Sequence, residues 1–119
     1  MINTFIYYSV CCKIIQVSLA NEVQIVQGGR AGLYHLSGVI NGRSYWVDKT
    51  KTQSIWYIPR FKEWCIATLD VLGTDICGIA SGDNLQGDSQ CPYDHTIWWY
   101  YHRRSTWRST KDVQLRCQG

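Results

Sequence analysis

The chain has 119 residues, which is the length of one domain, and no shift in composition along it requires a second. Its formal net charge of +3 is small, which argues against nucleic acid as the partner. Aromatic residues make up 13% of the chain and occur in short groups of strand length, separated by turn-forming or charged residues. This pattern is typical of a β-rich domain that builds its core from large rings.

The N-terminal segment is apolar apart from Lys13, and its composition differs from the rest of the chain. The small residues Ser18 and Ala20 suit a secretory cleavage site. We therefore predict that residues 1–20 are a signal peptide and that residues 21–119 form a single extracellular β-domain. The alternative is an N-terminal strand or helix of the mature protein. A membrane span is disfavoured, because it needs about 20 largely uncharged residues.

Short apolar and aromatic runs after the N-terminal segment predict β-strands. They lie at residues 23–26, 33–40, 44–47, 53–58, 63–69, 96–101 and 112–117. Asn41-Gly42 predicts a type I′ hairpin, since such a turn needs positive φ at both central residues. Pro59 ends the run before it, because proline cannot donate to a β ladder. Residues 73–92, rich in Gly, Asp and Ser, predict a long loop.

These elements together predict the fold class. No segment keeps a period of 3.6 residues, so we expect little helix. The prediction is an all-β fold, either a single small antiparallel meander or a partly closed barrel of about six to eight short strands. Disulfides would staple it, and curling or closure would protect its strand edges.

The cysteines support an extracellular domain. Cleavage after Ala20 would leave Cys65, Cys77, Cys91 and Cys117. An even number of cysteines in a small secreted domain predicts disulfides, here two, and the sequence alone leaves three pairings open. We expect Cys77–Cys91, which would close the loop at residues 73–92, and Cys65–Cys117, which would tie a central strand to the last one.

The order of the aromatic and cysteine positions resembles a known type of module. The segments that carry the resemblance are Gly32-Leu33-Tyr34, Asn41-Gly42-Arg43-Ser44-Tyr45-Trp46, Ile55-Trp56-Tyr57, Trp64, Cys91-Pro92, Trp98 or Trp99, Trp107 and Asp112-Val113-Gln114-Leu115-Arg116-Cys117. They resemble a secreted β-module family that is abundant in aquatic invertebrates, in single or tandem copies, with no established enzymatic activity. The resemblance covers residues 32–117 and implies an extracellular, non-enzymatic role. Ser44 departs from the family, which often has proline there.

Candidate catalytic and metal-binding residues do not fall into motifs. No nucleophile elbow places a serine beside a histidine, and bridged cysteines are not nucleophiles. The acidic residues of the loop at 70–94 do not follow the spacing of an EF-hand, so we interpret them as solvated, with calcium binding as the alternative. The cysteines lack a Cys-x-x-Cys pair, and His35, His95 and His102 lack ligand spacing, which disfavours zinc. We therefore predict no enzyme activity, no metal site and no cofactor.

The candidate binding residues lie near the C terminus. Residues 97–101 carry apolar or aromatic side chains on both faces of a predicted strand, because successive side chains point to opposite faces. Exposed rings beside arginines can stack on sugars or on a partner's side chains. The candidates are Trp98, Trp99, Tyr101, Arg103, Arg104 and Trp107. The alternative is that most of these rings belong to the core, as we expect for Trp46, Trp56 and Trp64.

Charge is segregated along the chain. Bases dominate residues 30–62 and 103–116, and acids dominate residues 63–94. Such blocks either pair within the fold, which is the simpler outcome, or leave opposite faces that meet another copy. We predict a secreted, non-enzymatic structural or interaction module of extracellular material (matrix, fibre, mucus or adhesive) that binds itself or other matrix proteins. The alternatives are a lectin-like module that binds glycans and a secreted toxin or inhibitor.

Overall fold

The computed structural model describes residues 11–82, 90–102 and 106–118. Its strands form one antiparallel sheet with the bounds β1 Ile14–Leu19, β2 Gly32–Ile40, β3 Arg43–Asp48, β4 Gln53–Ile58, β5 Glu63–Thr68, β6 Ile79–Ala80, β7 Trp98–His102, β8 Thr106–Thr110 and β9 Val113–Cys117. The helix α1 covers Asn21–Gln27, and single turns of 3₁₀-helix lie at Gly28–Arg30, Leu69–Val71 and Pro92–Asp94. The predicted all-β fold class is confirmed.

The order of the strands forces the sheet to curl. From edge to edge it is β8-β7-β6-β5-β4-β3-β2-β1-β9, so β1 to β8 form a meander and β9 returns to pair with β1. Only Lys111 and Asp112 join β8 to β9, although these strands are opposite edges. Three Cα steps of about 3.8 Å keep the edges within roughly 11 Å of each other at this link. The sheet is therefore a half-barrel with a concave inner face and a convex outer face.

The described residues contain nine strands, slightly more than expected. Two of the additional strands lie where the sequence predicted loop. Strand β6 has only two residues and joins β5 to β7, inside the segment predicted as a long loop. Strand β8 contains Trp107, which was expected between strands, and four of its five residues are exposed. A two-residue strand and an exposed polar edge strand carry no hydrophobic period from which they can be predicted.

The strand predicted at residues 23–26 is wrong, because these residues lie in α1. Asn21 has a φ of 55°, a left-handed conformation that asparagine tolerates, and it turns the chain out of β1. Val23 then enters the core whereas Ile25 is exposed. In a strand, residues two apart share a face, so the burial of Val23 and the exposure of Ile25 exclude a regular strand and fit the helix.

The predicted hairpin is confirmed. Asn41 has a φ of 55° and Gly42 a φ of 82°, the positive values that a type I′ turn needs. The flanking residues Ile40 and Arg43 are paired across β2 and β3. Strand β4 occupies the predicted residues 53–58 and ends directly before Pro59.

Large rings fill the sheet on both faces. Trp46, Trp64 and Trp98 are fully buried on the inner face, together with Val23 of α1. On the outer face Trp56 packs against Cys65 beneath residues 69–77, which cover this part of the sheet. Every residue of β4 is buried, because β4 supplies side chains to both cores. The expectation that Trp46, Trp56 and Trp64 belong to the core is confirmed.

The disulfide pairing differs from the prediction. The bridges are Cys11–Cys91, Cys12–Cys117 and Cys65–Cys77, and no cysteine in the described residues is free. The expected pairs Cys77–Cys91 and Cys65–Cys117 are therefore wrong. Those pairs require that Cys11 and Cys12 are removed with a signal peptide. In the sheet, β1 lies between β2 and β9 and brings these two cysteines to their partners.

A signal-peptide boundary after Ala20 stays a prediction, but that boundary and this sheet exclude each other. Cleavage there would remove β1, which pairs with both β2 and β9. It would also remove Ile15 and Val17 from the inner core and break two of the three disulfides. The sheet contains the alternative that the sequence left open, in which residues 14–19 are a strand of the domain.

Removal of residues 1–20 tests which interpretation describes the folded protein. We expect the chain that begins at Asn21 not to unfold cooperatively in urea, because β2 and β9 lose their shared partner. As a milder comparison, Cys12→Ser together with Cys117→Ser should lower the free energy of unfolding by about 2–5 kcal/mol and leave a cooperative transition. Tryptophan fluorescence during urea unfolding measures both. A shortened chain with the unfolding midpoint of the full chain would contradict the role assigned to β1.

Candidate functional site

Strand β7 divides its rings between the two faces of the sheet. Trp98 is fully buried and Tyr100 nearly so, whereas Trp99 and Tyr101 are exposed. This is the alternation that a strand imposes on successive side chains. Trp98 is therefore a core residue, and its selection as a binding residue was wrong.

The exposed rings form one continuous surface on the outer face. Tyr101 is paired with Trp107 across β7 and β8, and their ring centroids lie 5.5 Å apart with an edge-to-face angle of 74°. Trp99 lies two residues along the same face of β7. Trp99, Tyr101 and Trp107 are 37%, 38% and 42% exposed, and we call them the outer aromatic face. The other two candidates, Arg103 and Arg104, lie outside the described residues.

An open groove of about 850 Å³ lies beside the outer aromatic face. Trp99 and Trp107 form one side of it, and Phe61 in the turn between β4 and β5 contributes a third exposed ring. Arg60 and Asp75 form an ion pair of 3.1 Å on the groove. The groove therefore combines apolar rings with a charged rim, and we call it the outer groove.

The contribution of the β4–β5 turn was missed from the sequence. The Lys62 N–H donates to the Pro59 carbonyl at 3.2 Å, and Lys62 has a φ of 53°, so the turn is tight. The Phe61 side chain in this turn is exposed to solvent, and the Arg60 guanidinium lies 5.3 Å from its ring centroid. The available signal was an aromatic residue inside an otherwise polar turn, where burial in the core is not expected.

The ion pair on the groove also bears on the predicted charge blocks. Arg60 belongs to the basic block and Asp75 to the acidic block, so this pair is neutralised within the fold. Both side chains are largely exposed, and such a pair contributes little to stability. The pair places both a positive and a negative charge beside the three rings of the outer groove.

A polar cluster fixes α1 against the inner side of β7 and β8. The Tyr100 hydroxyl donates to the Glu22 carboxylate, and Arg108 Nη1 donates to the same oxygen at 2.7 Å. His102 Nε2 lies 3.7 Å from the second carboxylate oxygen. The hydrogen bonds from Tyr100 and then Arg108 hold the pKa of Glu22 below its ordinary value. The cluster therefore holds α1 to the two strands whose outer side carries the aromatic face.

The acidic loop is only partly within the described residues. Asp83 and Asp88 lie outside them, and Asp75 is paired with Arg60. Within residues 11–82, 90–102 and 106–118, no group of three or more His, Cys, Asp or Glu side chains is placed to hold a metal ion. Calcium binding by the complete loop stays an untested alternative.

No family model, curated protein or solved structure matches this chain. The outer aromatic face and the outer groove are thus interpreted from their own geometry. In the part of the chain that the structure describes, no helix is both long enough and apolar enough to cross a membrane.

Substitution of the rings separates the core tryptophans from the exposed ones. Trp98→Ala should lower the free energy of unfolding by about 3–5 kcal/mol, because it leaves a cavity in the inner core. Trp107→Ala should lower it by only about 1 kcal/mol, since it removes one cross-strand ring contact on an edge strand. Chemical unfolding followed by circular dichroism measures both. Equal losses would contradict the assignment of Trp107 to an exposed surface.

The Glu22 cluster predicts a dependence of stability on pH. A carboxyl group whose pKa is lowered in the folded state stabilises that state above its unfolded pKa, near 4.5, and loses this contribution as pH falls through the folded pKa. Glu22→Gln should therefore be less stable than the wild type at neutral pH, and the difference should disappear in acid. Tyr100→Phe should raise the pKa of Glu22 toward its ordinary value, as an NMR titration of the side-chain carboxyl carbon would show. An unchanged titration in Tyr100→Phe would contradict the assigned cause.

Proposed function

We propose that this chain is a secreted, non-enzymatic interaction module that binds an extracellular protein through its outer aromatic face. Three disulfides support an oxidising compartment, which is the environment of secreted proteins. The observation that carries the proposal is the continuous exposure of Trp99, Tyr101 and Trp107 on one face of the sheet.

The exposure of these rings is selective. Trp46, Trp56, Trp64 and Trp98 are fully buried, so the fold has room for large rings in its interior. Trp99 and Trp107 stay partly in water on adjacent strands, where each leaves apolar area exposed that a partner would cover. Tryptophan and tyrosine dominate the energetic centres of protein interfaces because they bring a large area at a low entropic cost.

The outer aromatic face is built on paired strands. Strand β7 is paired in register with β8 from Trp98↔Thr110 to His102↔Thr106 and with β6 on its other side. The opposite face of β7 is anchored by Trp98 in the inner core. A surface held on strands loses little conformational freedom when a partner binds, which favours affinity.

A glycan is the second candidate partner, and the outer groove supplies the observation that favours it. The groove places the rings of Phe61, Trp99 and Trp107 around the Arg60–Asp75 ion pair. Sugar rings stack their apolar face on aromatic side chains, and charged side chains accept and donate hydrogen bonds to sugar hydroxyls. A short oligosaccharide suits an open groove of about 850 Å³.

A single pair of substitutions tests the surface against all partners. We expect Trp99→Ala with Trp107→Ala to weaken binding at least about tenfold, as loss of interface tryptophans does. Val39→Ala with Ile25→Ala is the matched control, because both side chains are exposed and lie away from the outer groove. The wild type and both variants are applied to a panel of purified extracellular matrix proteins, to a glycan array, and to sedimentation across protein and salt concentrations.

The three measurements separate the candidate functions. Binding to a matrix protein that is lost only in the tryptophan variant supports the proposal, and the same result on glycans supports the second candidate. Association of the chain with itself that is lost in the tryptophan variant would make the partner a second copy. If the tryptophan variant behaves as the wild type in every measurement, the outer aromatic face is not the binding surface.

A further inference from the structure

A second groove lies along β9, at the opposite edge of the sheet from β8. It has a volume of about 430 Å³ and runs between β9 and the segment at residues 93–96. This segment includes the end of the 3₁₀ turn at Pro92–Asp94. The Cys11–Cys91 bridge and a hydrogen bond of 3.2 Å from the Cys12 N–H to the Tyr93 hydroxyl hold it in place. We call this the β9 groove.

The strand register places unpaired backbone groups on the β9 groove. Ala20 donates to the Asp112 carbonyl and Gln118 donates to the Ile14 carbonyl, so the even-numbered residues of β9 bond to β1. In an antiparallel ladder the intervening residues point their N–H and C=O groups the other way. Val113 and Leu115 therefore direct theirs to the free edge, and none of the hydrogen bonds among the described residues uses them.

The other wall of the groove carries a buried histidine whose ring nitrogens have no hydrogen-bond partner among the described residues. This residue, His95, is only 7% exposed. Burial lowers the pKa of His95, so the ring is neutral at pH 7 and offers one donor and one acceptor. Both nitrogens are inaccessible from the groove, so His95 contributes the surface of its ring to this wall.

The groove mouth is basic. Lys111 and Arg116 are exposed beside it, and Arg116 Nη2 donates to Gln114 Oε1 at 3.0 Å. Within the described ranges, neither side chain forms an ion pair with a carboxylate. Strand β8 of a second copy does not suit this edge, because its only charged residue is Arg108. The occupant that fits both the backbone groups and the charges is an acidic segment of another protein.

We propose that β9 is a strand-addition site for an extended acidic peptide segment. The segment pairs its backbone with Val113 and Leu115, packs against the His95 ring on its other side, and places one carboxylate near Lys111 and another near Arg116. Four or five residues are enough to follow β9, since five residues in a strand extend about 17 Å. Addition of a strand to an exposed sheet edge is a general mode of peptide recognition. This site is separate from the outer aromatic face.

The probe is the peptide acetyl-Thr-Glu-Val-Glu-Val-Thr-amide, titrated into the full-length oxidised chain at pH 7 and low salt. We expect NMR shift changes centred on the Val113 and Leu115 amides and on the His95 ring. The same peptide with its alternate backbone nitrogens methylated should bind at least about tenfold more weakly, because it cannot complete the ladder. The peptide with lysine in place of glutamate should also bind more weakly, by a similar factor.

Matched charge reversals test the mouth of the groove. Lys111→Glu with Arg116→Glu should weaken the binding of the acidic peptide at least about tenfold and strengthen the binding of the lysine peptide. Lys49→Glu with Lys51→Glu makes the same change of net charge on the turn after β3 and should leave both affinities unchanged.

Several results would overturn the proposal. Equal binding of the methylated and unmethylated peptides would show that no strand is added. Protection of the Val113 and Leu115 amides from hydrogen exchange without peptide would show that the edge is already occupied. Shift changes at β9 that grow with protein concentration in the absence of peptide would make the occupant a second copy. No shift change at millimolar peptide would also reject the site.

Discussion

The link formed by Lys111 and Asp112 is the constraint on which the rest of the structure depends. It joins the two edges of one sheet, so β8 and β9 must stay close at that end and the sheet must curl. Curling creates a concave face deep enough to bury Trp46, Trp64 and Trp98, with Val23 of α1 packed against them. Strand β9 reaches its place only because β1 lies between it and β2. The first strand and the last are therefore needed together, and the Cys12–Cys117 bridge joins them.

The boundary between buried and exposed rings on the outer face has a simple cause. Residues 69–77 cover β4 and β5 from outside, and the Cys65–Cys77 bridge holds them there. Trp56 is buried beneath this cover. The cover does not extend over β7 and β8, so the same alternation that buries Trp56 leaves Trp99 and Tyr101 exposed. The outer aromatic face begins where the covering segment stops.

The sequence predicted the features that depend on neighbouring residues. Alternation and turn chemistry were enough for the all-β class, for the Asn41-Gly42 hairpin and for β4. Exposed rings were expected near the C terminus, and Trp99, Tyr101 and Trp107 are exposed, whereas Trp98 is not. A strand pattern shows that adjacent rings face opposite ways but not which face is covered.

Features that depend on distant parts of the chain could not be predicted. The partners of Cys11 and Cys12 follow from the position of β1 in the sheet, which no local pattern encodes. The helix α1 forms where a strand was expected because the chain leaves β1 at Asn21 and Val23 is drawn into the core. To predict the β9 groove, one must know which strand ends the sheet. To predict that Phe61 lines the outer groove, one must know the outline of that groove. Each is a property of tertiary arrangement that overrides local preference.

The two proposed surfaces use different parts of the same half-barrel and do not compete. The outer aromatic face lies on the convex side of β7 and β8, whereas the β9 groove follows a strand edge. The ring centroids of His95 in the groove and Trp98 in the core lie 5.9 Å apart, and Trp98 is the neighbour of Trp99 in the chain. Trp98 is fully buried and bonded through Nε1 to the His95 carbonyl at 3.3 Å, so a fixed core residue separates the two sites. A single domain of this kind can hold one partner by side-chain contacts and another by strand pairing. If both proposals hold, the two surfaces would let one small unit link two different molecules, and where both ligands belong to one molecule the second contact would form at a high effective concentration.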